Sequence, residues 1–164
     1  MSSPKTPLIV ADAGPLIALA KTGSLDLLKN LFGKVLIPIA VHKELHIDSS
    51  RPGSVALSKA MTWIRVEETK EPSKYLLYSI DRGEAEAITL ALKKNASLLI
   101  DETRGRIAAR NAGVQIFGTG AVLIRAKEKR IISAVKPYLN ALCNAGYRIS
   151  KPLQKEILHR AGEK

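Results

Sequence analysis

The sequence predicts an α/β protein with a three-layer α/β/α architecture, in which a parallel sheet of four or five strands lies between helices. Three observations lead to this. Short runs rich in apolar residues recur at 8–10, 35–37, 97–100 and 114–117, as expected of strands buried on both faces. Segments of about ten residues with helical spacing and capping residues fall between them. Strands alternating with helices imply right-handed crossovers, and hence parallel pairing. With 164 residues, 46% of them hydrophobic and 25% charged, the chain is expected to form a single domain over 1–164 with its own core.

Taken in order, Leu8–Val10 reads as a strand, followed by an Ala13-Gly14-Pro15 turn and a helix over Leu16–Ala20. Ser24 is the expected N-cap of a helix over Leu25–Phe32, which Gly33 ends. Val35–Ile37 is the next strand, and Pro38 opens a helix to about Ile47. Ser49, Ser50, Pro52 and Gly53 mark a loop before a helix near 55–61 and a strand near 63–66. Asp81 and Glu84 have capping-box spacing and open a helix through Lys94. After the strand at 97–100 come a helix over 103–112 stopped by Gly113, a strand at 114–117 and a helix over 119–129. Two helices, 133–145 and 150–161, complete a helical C-terminal segment.

The chain has 26 Lys and Arg against 15 Asp and Glu, a formal net charge of +11. Residues 123–164 hold 10 basic and 3 acidic side chains, so the last quarter carries most of the excess. Such a surplus favours phosphate backbones, although a solvated helical face would account for it equally well. No apolar run approaches the roughly 20 residues of a membrane span, and Met1–Pro7 has no signal-peptide pattern. A cytoplasmic protein without membrane contact is therefore expected. Cys143 stands alone, which excludes an internal disulfide and argues against structural zinc, and it reads as a small buried hydrophobe.

In open parallel sheets ligands gather at the carboxyl ends of the strands. Asp12 follows the first apolar run and Asp101 the fourth, placing two carboxylates on one edge. On the helix after Asp81, the stripe Ala87, Ile88, Ala91 and Leu92 has Glu84 on its side, whereas Glu86 falls on the solvent side. Glu44 borders the apolar face of the helix opened by Pro38. Each acid has a plainer reading as a helix cap or turn residue. Together, however, they would repel one another unless a cation offset their charge. All-oxygen donors suit Mg²⁺ or Mn²⁺, ions that handle phosphate chemistry. His42 and His46 in the string HKELH lack the glutamate position and third ligand of a zinc helix and read as solvent-facing. Thr119, between Gly118 and Gly120, could orient a water or hold a phosphate at a helix start, or simply cap that helix. Arg104, Arg106 and Arg110 are candidate RNA phosphate contacts.

The blocks VADAGPLIALAKTG, VLIPIAVHKEL, DRGEAEAITLAL, LLIDETRGRIAA and FGTGAVLIRAK, in this order, resemble the PIN-domain family of nucleases, which includes VapC-type toxins. The resemblance runs from about Ile9 to Arg148 and is nearest to a poorly characterised prokaryotic PIN-like subgroup. It implies a Mg²⁺- or Mn²⁺-dependent ribonuclease, with Asp12, Glu44, Glu84 and Asp101 as metal-binding catalytic acids and Thr119 as the hydroxyl residue near the fifth strand. It also implies a homodimer and a cognate antitoxin protein as partner. Gly83-Glu84 stands where VapC toxins commonly have aspartate, and Gly120-Ala121 where the subgroup has an apolar residue followed by glycine. The alternatives are a non-catalytic RNA-binding module with the same fold and a phosphoacceptor receiver domain. The latter lacks its strand-end lysine here.

Overall fold

A computed structural model describes residues 7–164. The expectation about a leader segment at Met1–Pro7 therefore falls, apart from Pro7, outside the described residues. Five strands form one sheet: β1 (Ile9–Ala11), β2 (Val35–Pro38), β3 (Ile64–Glu67), β4 (Ser97–Leu99) and β5 (Ile116–Phe117). All pairs are parallel, in the order β3-β2-β1-β4-β5, with Val10 opposite both Leu36 and Leu98. The helices are α1 (Ala13–Lys21), α2 (Asp26–Phe32), α3 (Ile39–Leu45), α4 (Ser54–Ala60), α5 (Lys74–Ser79), α6 (Arg82–Lys94), α7 (Thr103–Asn111), α8 (Thr119–Glu128), α9 (Lys136–Asn144) and α10 (Lys151–Arg160).

Period-two alternation along the strands divides the core in two. Ile9, Ala11, Val35, Ile37 and Leu99 face one cluster, which is completed by Leu16 and Leu19 of α1, Leu28 of α2, Leu123 of α8 and Leu139 of α9. Val10, Leu36, Leu98 and Ile100 face the other, packing on Ala85, Ile88 and Leu90 of α6 and Ala109 of α7. The three layers follow from this division. Strand order reverses at β1 and β4, so α1 and α7 leave towards opposite faces, and a crevice opens at the carboxyl ends between them.

Several element boundaries differ from the sequence reading. Ala13-Gly14-Pro15 is not a turn but the first turn of α1, where proline removes an N–H that has no helical acceptor. Ser24 does not cap α2 with its side chain; its hydroxyl donates to the Thr22 carbonyl at 3.4 Å, and Leu25 already has helical dihedrals. The helix after Pro38 ends at Leu45, with Ile47 80% exposed. Helix α5 was not expected. Capped by the Ser73 hydroxyl, which accepts from Leu76 N at 3.2 Å, it buries Leu76 alone and so carries no periodic signal. On α6 the buried side includes Leu90, while Leu92 is half exposed. Cys143 is half-buried rather than buried.

The tail helices are tied down chemically. Glu163 accepts from Lys127 Nζ at 2.9 Å and from the backbone amides of Val135 and Lys136 at 2.8 and 3.1 Å. Among the described residues no helix is long and apolar enough to cross a membrane.

Gly53 enters α4 at φ +91°, where an added Cβ would lie 2.9 Å from both Ala20 C and Lys21 N of α1. Backbone on the receiving side cannot swing away. Gly53→Ala is therefore expected to cost more than about 1 kcal/mol of stability, read as a lower urea midpoint at unchanged slope.

Candidate active site

Acids from several elements meet at the β1/β4 crevice. Asp12 continues the β1 ladder, its amide donating to Leu99 O at 3.0 Å. It occupies the N-cap position of α1, yet its carboxylate makes no capping hydrogen bond. The plain capping role is therefore unused, and the side chain is 8% exposed. Burial is the main reason its pKa rises to about 7; the Ala13 amide pulls the other way, and the charges of Asp81, Glu44 and Asp101 push it further up.

Glu84 faces inward from the first turn of α6 and is also 8% exposed. Asp81 forms one half of the expected capping box, accepting from the Glu84 amide at 2.8 Å. Glu84 Oε2, however, is buried with no hydrogen-bond partner among the described residues. Desolvation first, then contact with the Asp81 carboxyl and the charges of Asp81, Asp12 and Glu102, lift Glu84 to about 8. Glu86 corrects the sequence reading. It does not face solvent but accepts from the Ala40 amide at 3.1 Å, so it caps the start of α3, and it pairs with Arg82 at 3.3 Å.

Glu44 lies on the exposed side of α3, with its carboxyl group resting over Gly83. Its pKa is raised, first by desolvation and then by Asp81, while Arg51 pulls it down. Arg51 also steadies that end of α3 by donating to Glu44 O at 2.8 Å. His42 of this helix and His46 at its C-cap stack edge to face at 4.7 Å.

Asp101, half-buried just past β4, is the most constrained of the set. Its Oδ1 accepts from Thr119 N at 2.9 Å, and its Oδ2 accepts from Thr119 Oγ1 at 2.5 Å and from the Tyr147 hydroxyl. Thr119 is the first residue of α8, not its cap, and is 1% exposed. Its hydroxyl thus serves Asp101 rather than an incoming water. Tyr147 was not anticipated: it lies 46 residues beyond Asp101 in a segment without strand or helix pattern. Burial, then the adjacent Asp101 charge, keeps its phenol protonated well above the ordinary range.

Glycines make the gathering possible. A Cβ at Gly105 would lie 2.5 Å from Glu84 Oε2 and 2.6 Å from Ile100 Cδ1, and one at Gly118 would lie 2.6 Å from Asp101 Oδ1. Gly83 leaves the same kind of space for Glu44. Nothing in the sequence marks this role, although each glycine adjoins a candidate acid or its block. Of the arginines, Arg106 points back to donate to Ile100 O at 2.8 Å and sits beside Gly118. Arg104 and Arg110 are exposed on α7.

A hard divalent cation fits this chemistry. The donors are carboxylate oxygens, Asp12 and Glu84 are raised first by burial and then by neighbouring carboxylates, and Glu84 Oε2 has no partner among the described residues. Among the described residues, no three His, Cys, Asp or Glu side chains are arranged to enclose an ion by themselves. A cavity of about 800 Å³ between α5, α6 and α7, lined by residues such as Lys70, Tyr75 and Leu92, contains none of these acids.

The family profile DUF3368, described as a PIN domain, matches residues 8–163. The structure is similar to a PilT N-terminus domain protein from the hyperthermophilic archaeon Sulfolobus solfataricus P2. Identity is 20% over 73% of this chain and 92% of that one, with a TM-score of 0.55. It is also similar to a domain of a functionally unknown protein from Methanocaldococcus jannaschii DSM 2661, 18% identical over 68% of this chain and 90% of that one, at a TM-score of 0.45. No curated protein matches the sequence.

The raised acids have a thermodynamic consequence. Between the unfolded carboxyl pKa values near 4 and the folded values of about 7 and 8, the native state holds more protons than the unfolded one. Stability without metal is therefore full below about pH 4 as far as these two groups are concerned, and falls as pH rises towards 8. Melting in EDTA is expected to show Tm dropping by several degrees from pH 5 to 8. Asp12→Asn should flatten that drop and leave the variant the more stable protein at pH 8. A parallel decline in both proteins would return Asp12 to an ordinary structural role.

Proposed function

We propose that this chain, which belongs to the DUF3368 family of PIN domains, is a Mg²⁺- or Mn²⁺-dependent ribonuclease that cleaves RNA phosphodiester bonds. Its nuclease-type fold is the premise. The observation that carries the reading is the buried pair Asp12 and Glu84 at the β1/β4 crevice, with an unpartnered Glu84 oxygen and Asp101 at the neighbouring strand end. A carboxylate crowd of this kind costs stability, and a cation-binding role explains why it is kept.

Asp12, Glu84 and Asp101, with Glu44 at the rim, would hold the cation. Bound there, a divalent ion lowers the pKa of water and offsets charge on the leaving oxygen. Thr119 keeps the Asp101 carboxylate in place through two hydrogen bonds. Arg104 and Arg110, exposed on the helix that follows Asp101, can meet the RNA backbone, while Arg106 braces the loop through Ile100. In the reaction the water oxygen bonds to phosphorus as the P–O bond to the leaving sugar oxygen breaks. The water gives up its proton and the leaving oxygen gains one.

The reading extends to a cytoplasmic toxin, working as a homodimer and neutralised by an acidic antitoxin protein. The net charge of +11 is supporting chemistry for both RNA and such a partner. A second reading, a non-catalytic RNA-binding module, is favoured by one feature: three of the lone-pair positions of Asp101 are already taken by Thr119 and Tyr147.

Purified protein is expected to cut single-stranded or structured RNA with Mn²⁺ or Mg²⁺ and not in EDTA. Asp12→Asn and Asp101→Asn should each lose about a hundredfold or more while remaining folded. RNA binding that is equal with and without metal, and no cleavage in any preparation, would establish the binding module instead. Growth arrest on expression, absent in Asp101→Asn, tests the toxin assignment.

A further inference from the structure

The turn between α9 and α10 reaches back to the strand-end acid. Gly146 adopts φ +91°, and the Tyr147 amide then donates to Leu142 O at 3.0 Å, so the chain reverses and carries the ring onto the first core cluster. From there the phenol hydroxyl donates to Asp101 Oδ2. Packing alone would be served by a phenyl ring; the hydroxyl adds a directed bond to one carboxylate.

Tail docking has two other supports. Ile157 of α10 lies over Gly120, where an added Cβ would come within 2.6 Å of Ile157 Cδ1. Glu163 binds Lys127 and the amides of Val135 and Lys136. The Tyr147 hydroxyl is therefore not needed to keep the tail in place. The other donors to Asp101 both belong to Thr119, so Tyr147 supplies a constraint from a separate element. Thr119 holds one bond to each oxygen from a single helix start, and Tyr147 adds a second bond to Oδ2 from the turn before α10.

We propose that Tyr147 is a positioning residue: its hydroxyl, added to the two bonds from Thr119, tightens the hold on the Asp101 carboxylate and so couples docking of the C-terminal helices to the geometry of the acidic edge. The functional weight of this coupling rests on the reading of Asp101 as part of a metal site, whereas the coupling itself does not.

The Thr119 amide reports on it directly, because its acceptor is Asp101 Oδ1 rather than a helical carbonyl. In full-length Tyr147→Phe, hydrogen exchange at Thr119 is expected to quicken about tenfold while the α10 amides keep their protection. Affinity for Mn²⁺ alone, followed by calorimetry, should weaken about tenfold, and kcat should fall with KM for RNA unchanged, in the range typical of groups that orient a ligand. Unchanged exchange at Thr119 overturns the proposal. So does exchange that quickens equally through α10, because Tyr147 would then be only a tail anchor. If the variant fails to fold, Ile157→Ser undocks α10 and leaves the hydroxyl present; Thr119 exchange that stays slow while α10 opens overturns the proposal as well. Asp101→Asn separates the two claims. Mn²⁺ affinity equal to that of the parent would defeat the metal-site reading, while quickened Thr119 exchange in Tyr147→Phe would still establish the positioning role.

Discussion

Burial of carboxylates away from water, within reach of one another's charge, is the constraint around which this molecule is arranged. Asp12 and Glu84 are both 8% exposed, and Asp81, Glu44 and Asp101 add their fields to one or both of them. Among the described residues neither of the buried pair is matched by an Arg or Lys: the ion pairs Arg82–Glu71, Lys94–Glu67 and Lys127–Glu163 all lie elsewhere. The strain is tolerated because the acids sit on elements that the core fixes independently. Asp12 is carried by a strand whose residues are fully buried, and Glu84 by a helix with Ala85, Ala87, Ile88 and Leu90 at zero exposure. The sheet and its helices thus provide the rigidity, and the crevice carries the cost.

Close approach at this edge depends as much on missing atoms as on those present. Gly105 and Gly118 leave room for carboxylate oxygens that a methyl group would displace, and Gly83 does the same for Glu44. On the far side, Thr119 and Tyr147 hold Asp101 by directed bonds. The acids are thereby sorted into two kinds. Asp12 and Glu84 are enclosed but poorly satisfied, whereas Asp101 is less buried and richly bonded.

Most of this was legible where a residue's chemistry and its spacing agreed. Buried parallel strands announce themselves as apolar runs, so β1, β2 and β4, and the acids that follow β1 and β4, could be placed from the sequence. Glu84 was identified as inward-facing because it shares a side with Ala87 and Ile88, and it is. Periodicity failed where a face is not uniformly wet or dry. Leu92 keeps the helical phase but overhangs solvent, and Glu86, out of phase, is drawn inward by the bare amide of Ala40. Such a partner comes from a different helix and has no local signature. The same holds for Tyr147 and for the glycine gaps, whose meaning depends on contacts between elements far apart in the chain. Helix α5 was missed for a simpler reason: one buried leucine in six residues makes no stripe.

The strand order also bears on how the polypeptide is made. β1 is the central strand, yet it precedes the others as the ribosome produces them, and its β4 partner spans residues 97–99. With β2 alone available, one side of β1 keeps its amides and carbonyls open until β4 emerges. At common synthesis rates of roughly 5–20 residues per second, that interval is on the order of ten seconds. During it an apolar strand edge is uncovered, and the nascent chain is a natural client for chaperones. The acidic edge, which needs β1 and β4 side by side, assembles only after that wait, so a truncated translation product would carry Asp12 without the crevice that gives it a purpose.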